Sequence, residues 1–191
     1  MSPSTPAPEI QRLASKENLV WIDLEMTGLD VEREVILQAA LIVTDKELRP
    51  LERWVGDLWQ PEAALEHMTP FVRDMHEKNG LLERCRRSRL DLRQAEQELL
   101  KRVAGWCSYP ALLAGSSVGH DKRFLERYMP GLASYLSYRV LDVTTLKLLA
   151  RAWYGEGAVF QKPKEREHDA LFDITNSIAE LAHYRATLFR S

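Results

Sequence analysis

The chain has 191 residues, 45% of them hydrophobic, which fits one domain with a sizeable core and argues against gross disorder. Its 26 lysines and arginines are balanced by 28 aspartates and glutamates, for a formal net charge of -2. This balance argues against a protein that coats long nucleic acid by bulk charge, although a few local contacts could still hold a small anionic substrate. Cys85 and Cys107 are the only cysteines, too few for a four-cysteine zinc site or a secreted disulfide scaffold.

The N-terminal region is polar and rich in proline. It has three prolines and no apolar run, so we predict a flexible tail over residues 1–16 that is neither a signal peptide nor a membrane anchor. No window approaches transmembrane length. Residues 17–191 contain no repeat, low-complexity block or linker, which predicts a single domain.

Three strands are predicted one after another at the start of this domain. They cover residues 18–25, 35–44 and 51–58, with short turn-like links between them. Consecutive strands with short links pair antiparallel, so this part of the chain predicts a meander.

Helices alternate with strands in the rest of the chain. Thr69 followed by Pro70 predicts a helix start, and Ser88 followed by Asp91 resembles a capping box for a helix that reaches about Cys107. Next come a strand over 111–118, a helix over 121–129, a strand over 138–143, a helix over 144–153, a polar loop over 155–167 and a last helix over 169–189. This order predicts an α/β fold, with a mixed sheet whose first three strands are antiparallel and with helices on its faces.

Asp23 and Glu25 interrupt an otherwise apolar strand in the stretch WIDLEMTGLD. Residues two apart in a strand point to the same face, so the two carboxylates project together. A solvated edge strand would explain a lone pair of this kind, but apolar neighbours at both parities imply burial on both faces. Buried paired carboxylates need compensating positive charge, and Mg²⁺ or Mn²⁺ prefers such hard oxygen ligands.

Two later motifs supply further candidates. Asp121, in GSSVGHDKRF, lies where a strand gives way to a helix, a place that is also typical of a helix N-cap. In EHDALFD, His168 ends the polar loop and Asp173 falls off the apolar stripe of the last helix. Taken singly, His168 and Asp173 fit solvated surface residues, and Asp169 fits a helix cap.

The order of these motifs is more specific than any one of them. D-x-E on the first strand, an aspartate at a central strand-to-helix turn and H-x(4)-D at the last helix together resemble the DEDDh exonucleases of the ribonuclease H-like fold. The resemblance implies one exonuclease domain over residues 17–191 and a mixed sheet with helices on both faces. It also implies that two divalent cations, Mg²⁺ or Mn²⁺, are bound and that His168 is the general base for the attacking water. The implied metal ligands are Asp23, Glu25, Asp121 and Asp173.

Longer stretches are similar to the oligoribonuclease family. They are WIDLEMTGLD, SVGHDKRFL and YRVLDVTTLK, and the similarity spans residues 19–184. The family implies a cytoplasmic homodimer that degrades short RNAs, above all dinucleotides, from the 3′ end to 5′-mononucleotides. Its pocket implies a wedge against the bases for Leu29, a substrate contact for His76, contacts to the 5′ phosphate for Ser117 and Arg139, and a phosphate cap that involves Tyr138, Thr144 and Thr145 and is completed by the partner subunit.

The sequence also departs from the family pattern, without losing a catalytic group. Phe71 stands where the family usually has a tryptophan, and its ring can still stack on a base. Ser116 replaces an asparagine, so a local hydrogen bond is expected to change. His120 replaces a glutamine, and Phe172 stands where an aspartate is frequent.

Two other functions remain open at this point. One is a DEDDh exonuclease that acts on longer RNA or DNA, which would need a long basic groove that the charge balance does not favour. The other is a non-catalytic nucleotide-binding module, which would have no need of a histidine base beside four carboxylates. A metal-dependent exoribonuclease for short oligomers is the leading hypothesis.

Overall fold

The computed structural model describes residues 14–163 and 169–189. Within these ranges, no helix combines the length and the apolar character needed to cross a membrane. The elements in chain order are β1 (Leu19–Met26), β2 (Ile36–Thr44), β3 (Pro50–Asp57), α1 (Glu62–Leu65), α2 (Pro70–Lys78), α3 (Leu81–Arg87), α4 (Leu92–Trp106), β4 (Ala111–Gly115), α5 (Gly119–Tyr128), α6 (Pro130–Tyr135), β5 (Leu136–Asp142), α7 (Val143–Tyr154), a 3₁₀ turn (Glu156–Ala158) and α8 (Ala170–Thr187).

The strands form one mixed sheet in the order β3-β2-β1-β4-β5. β2 pairs antiparallel with both β1 and β3, whereas β4 pairs parallel with both β1 and β5. The predicted antiparallel start is therefore confirmed. β1 lies in the middle of the sheet, with most of its residues buried on both faces, as its apolar residues at both parities indicated.

Helices cover both faces of the sheet. Successive side chains of the central strand point to opposite faces, and the apolar ones on each face pack against helices. Ile22 packs in a cluster with Phe124 of α5 and with apolar residues of α4 and α6. Trp21 packs on the other face with Ile174 and Tyr184 of α8 and with residues of α7. Asp23 and Glu25 lie two and four residues after Trp21 in β1, so their side chains point to the same face as Trp21, toward α8.

The start of α2 is as predicted. The Thr69 hydroxyl accepts a hydrogen bond from the Val72 N–H at 3.3 Å, and Pro70 occupies the first helical position. Gly80 lies between α2 and α3 with a positive φ of 73°. A glycine fits this position because such a backbone conformation strains residues that carry a Cβ atom.

The capping box predicted from Ser88 and Asp91 is wrong. The observed box is three residues later: the Asp91 carboxylate accepts from the Gln94 N–H at 2.7 Å, and the Gln94 side chain accepts from the Asp91 N–H at 3.0 Å. The Ser88 hydroxyl instead donates to the Asp57 carbonyl oxygen at 2.6 Å. The pairs Ser88–Asp91 and Asp91–Gln94 both have the spacing of a capping box. The hydrogen bond of the Ser88 hydroxyl to β3 decides between them.

The N-terminal tail predicted over residues 1–16 lies mostly outside the described residues, which begin at residue 14. Ser15 forms an isolated parallel bridge with Cys107, in which the Ser15 N–H donates to the Trp106 carbonyl at 3.0 Å. Ser15, inside the predicted tail, therefore contacts the domain through its backbone.

Candidate active site

Asp23 and Glu25 project from β1 toward α8. Glu25 is 7% exposed, and Asp23 is partly buried. The flanking residues Ile22 and Leu24 are buried on the opposite face, so this is no solvated edge strand. The backbone alternation of a central strand therefore holds two acidic groups side by side.

Asp121 reaches the same strand from α5. It is the third residue of that helix, not its N-cap, a position that Val118 occupies. The Asp121 carboxylate accepts a hydrogen bond from the Leu24 N–H at 2.9 Å. That donor is available because the pairing of β1 with β4 ends at Trp21. Asp121 thus binds the backbone between Asp23 and Glu25.

Asp173 completes the acidic cluster from the first turns of α8. One carboxylate oxygen from each of Asp23, Glu25 and Asp173 lies within 4.8 Å of the others. Three oxygen ligands at this spacing suit a divalent cation. The structure therefore brings together the four carboxylates that were predicted as ligands. Asp23, Glu25 and Asp173 lie next to one another, and Asp121 is held at the same strand by its hydrogen bond with the Leu24 N–H.

The pKa values of the cluster show that the fold without metal disfavours the ionised carboxylates. Burial and the negative charges of three neighbouring carboxylates raise the pKa of Asp23 well above its ordinary value, and Lys162 lowers it. Burial, followed by the charge of Asp173, raises the pKa of Glu25 to about 8. Burial raises the pKa of Asp121 to about 7, against the lowering effect of the Leu24 N–H. Divalent cations would reverse these shifts, so the donor set fits them.

The predicted general base His168 lies outside the described residues. Its neighbour Asp169 is the N-cap of α8, and the Asp169 carboxylate accepts from the Phe172 N–H at 3.1 Å. The interpretation of Asp169 as a cap is confirmed.

A group of hydroxyls lies where β4 and β5 end. The Asp142 carboxylate accepts from the Ser117 and Thr144 N–H groups, each at 2.9 Å. The hydroxyls of Ser117 and Thr144 are 3.1 Å apart, and Ser117 has a positive φ of 54°. Asp142, which sequence reasoning did not single out, therefore organises two of the predicted phosphate contacts.

The other predicted cap residues are exposed on and beside the edge strand β5. Tyr138 is 75% exposed, and the Arg139 guanidinium lies 4.5 Å from the centre of its ring. The Lys122 ammonium donates to the Tyr138 carbonyl at 2.8 Å, and Thr145 is exposed at the start of α7. Tyr138 and Arg139 are thus accessible to a ligand or a second chain.

The residues predicted to touch the bases differ in exposure. Leu29 is 64% exposed and Phe71 is 77% exposed, so both apolar side chains are accessible. His76 is completely buried, and its Nε2 atom lies 3.0 Å from the Met26 carbonyl oxygen. In this structure His76 contacts the last residue of β1 from the protein interior, and a direct contact with substrate stays a prediction.

Ser116, a departure from the family pattern, has a hydrogen-bond partner. Its hydroxyl lies 2.8 Å from that of Ser177, and the Ser177 hydroxyl donates to the Asp173 carbonyl at 3.0 Å. Ser116 therefore connects the end of β4 to the helix that carries Asp173. No periodicity in the sequence would have revealed this link.

A family model described as "Exonuclease" matches residues 20–181. Oligoribonucleases are similar over almost the whole chain. The one from Actinobacillus succinogenes is 50% identical over 173 residues, which cover 89% of this chain and 94% of the relative. The one from Francisella tularensis is 43% identical over 178 residues, which cover 92% of this chain and 98% of the relative. The chain belongs to the oligoribonuclease family of exonucleases. Human mitochondrial oligoribonuclease is 41% identical over 180 residues, which cover 91% of this chain and 74% of the relative.

Solved structures of exonuclease I share the fold. One from Methylocaldum szegediense has a TM-score of 0.70 at 19% identity and covers 90% of this chain. A second exonuclease I has a TM-score of 0.73 at 14% identity and covers 89% of this chain. In both, the match spans 41% of the exonuclease I chain. The predicted ribonuclease H-like fold is confirmed by these structures, and membership of the oligoribonuclease family shows that the chain is a nuclease.

Proposed function

We propose that the protein hydrolyses short oligoribonucleotides, especially dinucleotides, from the 3′ end to 5′-mononucleotides. The observation that carries this proposal is the convergence of Asp23, Glu25 and Asp173 within 4.8 Å, with Asp121 bound to the same strand. Membership of the oligoribonuclease family supports the exoribonuclease activity. The four carboxylates are the proposed ligands of two cations, Mg²⁺ or Mn²⁺.

Bound divalent cations would stabilise the attacking and leaving oxygens of the phosphodiester displacement. The carboxylates would hold the scissile phosphate in place through these ions and would remain ionised at neutral pH. His168, one residue before the cap of α8, is the proposed general base that takes a proton from the attacking water.

The substrate-binding residues are proposed to act at the two ends of a dinucleotide. Ser117, Arg139, Thr144 and Thr145 offer hydroxyls and a guanidinium to the 5′ phosphate, which are suitable anion donors. Leu29 and Phe71 offer exposed apolar side chains to the bases. His76 is proposed to act in substrate binding, from its buried place beside Met26.

A homodimer is proposed to complete the phosphate cap. Support comes from β5, an edge strand that exposes Tyr138 and Val140. An exposed edge strand with apolar side chains is a surface that another chain can cover. A cytoplasmic location is proposed from the family resemblance.

The proposal is tested by hydrolysis of 5′-phosphorylated RNAs, two to seven nucleotides long, with Mg²⁺, Mn²⁺ or EDTA. We expect metal-dependent cleavage that is fastest on the dinucleotide. His168→Ala should bind Mn²⁺ normally but lose about 10²- to 10⁴-fold in kcat, because only the proton acceptor is removed. Arg139→Ala should raise the KM for the dinucleotide about tenfold or more without changing Mn²⁺ affinity.

Other outcomes would revise the proposal in different ways. Equal or faster cleavage of the longer RNAs would keep the catalytic site but reject the dinucleotide pocket. An Arg139→Ala variant with unchanged KM would reject the cap. No cleavage with either metal would favour a non-catalytic nucleotide-binding module.

A further inference from the structure

Gln38 lies at the centre of a hydrogen-bonded chain that ends at the helix carrying Asp173. Gln38 is 6% exposed, and both polar atoms of its side-chain amide form hydrogen bonds. The Nε2 atom donates to an Asp57 carboxylate oxygen at 2.6 Å, and the Oε1 atom accepts from the Ala170 N–H at 3.3 Å. These two bonds connect β3 to the first residue of α8.

The strand registers place Gln38 directly beside the acidic cluster. It is opposite Glu25 on β1 and opposite Asp57 on β3. Side chains that are directly opposite in an antiparallel pair lie on the same face, so Glu25, Gln38 and Asp57 form a row across three strands. Gln38 is thus the neighbour of a proposed metal ligand.

The far end of this row is anchored outside the sheet. The Arg84 guanidinium donates to the second Asp57 carboxylate oxygen at 2.9 Å, from α3. Asp57 therefore has one oxygen bound by a guanidinium and the other by the Gln38 amide. This arrangement fixes the side on which the amide of Gln38 presents its oxygen.

The near end of the row holds the first turn of α8. Ala170 is the first residue of that helix, where backbone N–H groups have no partner within the helix. Gln38 accepts from this N–H, while the Asp169 cap accepts from that of Phe172. Asp173 lies one turn further and donates its own N–H to the Asp169 carbonyl at 2.9 Å. The position of Asp173 therefore depends on where this turn is held.

We propose that Gln38 is a positioning residue for the metal site: it fixes the first turn of α8 against β2 and so sets Asp173 beside Glu25. This inference rests on the proposed function, because it takes Asp173 and Glu25 as metal ligands. An amide suits the task, since it donates to a carboxylate on one side and accepts from a peptide N–H on the other. A glutamate would place a second negative charge against Asp57 and beside Glu25.

The test compares Gln38→Met, Gln38→Glu and the double variant Gln38→Glu/Asp57→Asn with the unchanged protein. The readouts are Mn²⁺ affinity by calorimetry, kcat and KM on a 5′-phosphorylated dinucleotide, and Tm in EDTA. Both single variants should lose about 10- to 100-fold in Mn²⁺ affinity and a similar factor in kcat, the range found when the partners that orient metal ligands are removed. The KM for the dinucleotide should change little.

The double variant distinguishes positioning from general damage to the fold. The amide introduced at position 57 can donate to the carboxylate introduced at position 38, which in turn can accept from the Ala170 N–H. Mn²⁺ affinity and kcat should therefore recover relative to Gln38→Glu alone. Failure to recover would overturn the proposed hydrogen-bond chain.

Gln60→Met is the matched control. Gln60 is a partly buried glutamine whose amide donates to the Ile36 carbonyl oxygen of β2 at 2.8 Å, and this bond does not involve α8. It should lower Tm without changing Mn²⁺ affinity. If Gln38→Met changes Mn²⁺ affinity no more than Gln60→Met does, Gln38 serves stability alone and the inference is wrong. If the unchanged protein neither binds Mn²⁺ nor cleaves RNA, the proposed function itself is wrong.

Discussion

Carboxylates have opposite surroundings in two regions of this molecule. At the end of β1, Asp23 and Glu25 lie close to other carboxylates, and burial with like charge raises their pKa values. On the surface, Glu62 binds Arg86 at 2.6 Å, and this hydrogen bond lowers the pKa of Glu62. The surface pair stabilises ordinary ionised groups, whereas the cluster keeps repelling groups together. The difference supports the proposed role of the cluster in binding cations, a role that would be maintained at a cost to the stability of the metal-free protein.

Exchanging one carboxylate in each region is the strongest way to test this comparison. Asp23→Asn should lower kcat about 10³-fold or more, because metal-ion catalysis supplies several kcal/mol of transition-state stabilisation. The same change should raise Tm in EDTA at pH 8, since folding no longer has to hold a carboxyl group whose pKa is raised well above its ordinary value by burial and like charges. Glu62→Gln, the control, should keep full activity and show no rise in Tm. A Tm for Asp23→Asn at or below that of the unchanged protein would contradict the idea of stored repulsion.

Removing metal should make the stability of the protein depend on pH. In the metal-free fold, Glu25 and Asp121 hold their protons until about pH 8 and pH 7, whereas ordinary carboxylates release them near pH 4.5 and 3.8. The folded state therefore binds more protons than the unfolded state between these limits, so stability falls as pH rises from about 4 to 8. Tm measured in EDTA across this range should decrease, and added Mn²⁺ should raise Tm more at pH 8 than at pH 6. A flat Tm profile in EDTA would refute the raised pKa values.

Glu180 offers a third environment, a buried carboxylate with a cation beside it. It is 1% exposed, with the Lys162 ammonium at 3.5 Å and the Tyr184 hydroxyl donating to it at 2.9 Å. Lys162→Met should lower the free energy of unfolding by about 1–3 kcal/mol, because a buried charge loses one of its partners. The value is at the modest end for buried pairs because Lys162 is 33% exposed.

Urea unfolding at pH 7 provides the measurement, with Lys46→Met as the control. Lys46 pairs with Glu17 at 3.3 Å, and both side chains are more than half exposed. This exposed pair should contribute clearly less than the buried one. Equal losses for the two lysine variants would show that burial of Glu180 does not decide the energy.

Much of this protein follows from short-range rules that can be read in its sequence. The period of two in a strand placed Asp23 and Glu25 on one face, and apolar residues at both parities predicted the central position of β1. Thr69 with Pro70 marked the start of α2, and Asp169 was identified as a cap. These features depend on backbone geometry within a few residues, which a pattern can specify.

Contacts between residues that are distant in the chain depend instead on the tertiary fold. The bond from the Leu24 N–H to Asp121 spans 97 residues, and that from the Ala170 N–H to Gln38 spans 132. The burial of His76, and the use of Ser88 by β3, likewise depend on what packs against them. The periodicity of a strand or helix predicts the face to which a side chain points, but it does not predict which distant residue that side chain contacts. The partners of the acidic residues, and hence the geometry of the site, follow from the order of strands in the sheet and from the helices laid across it.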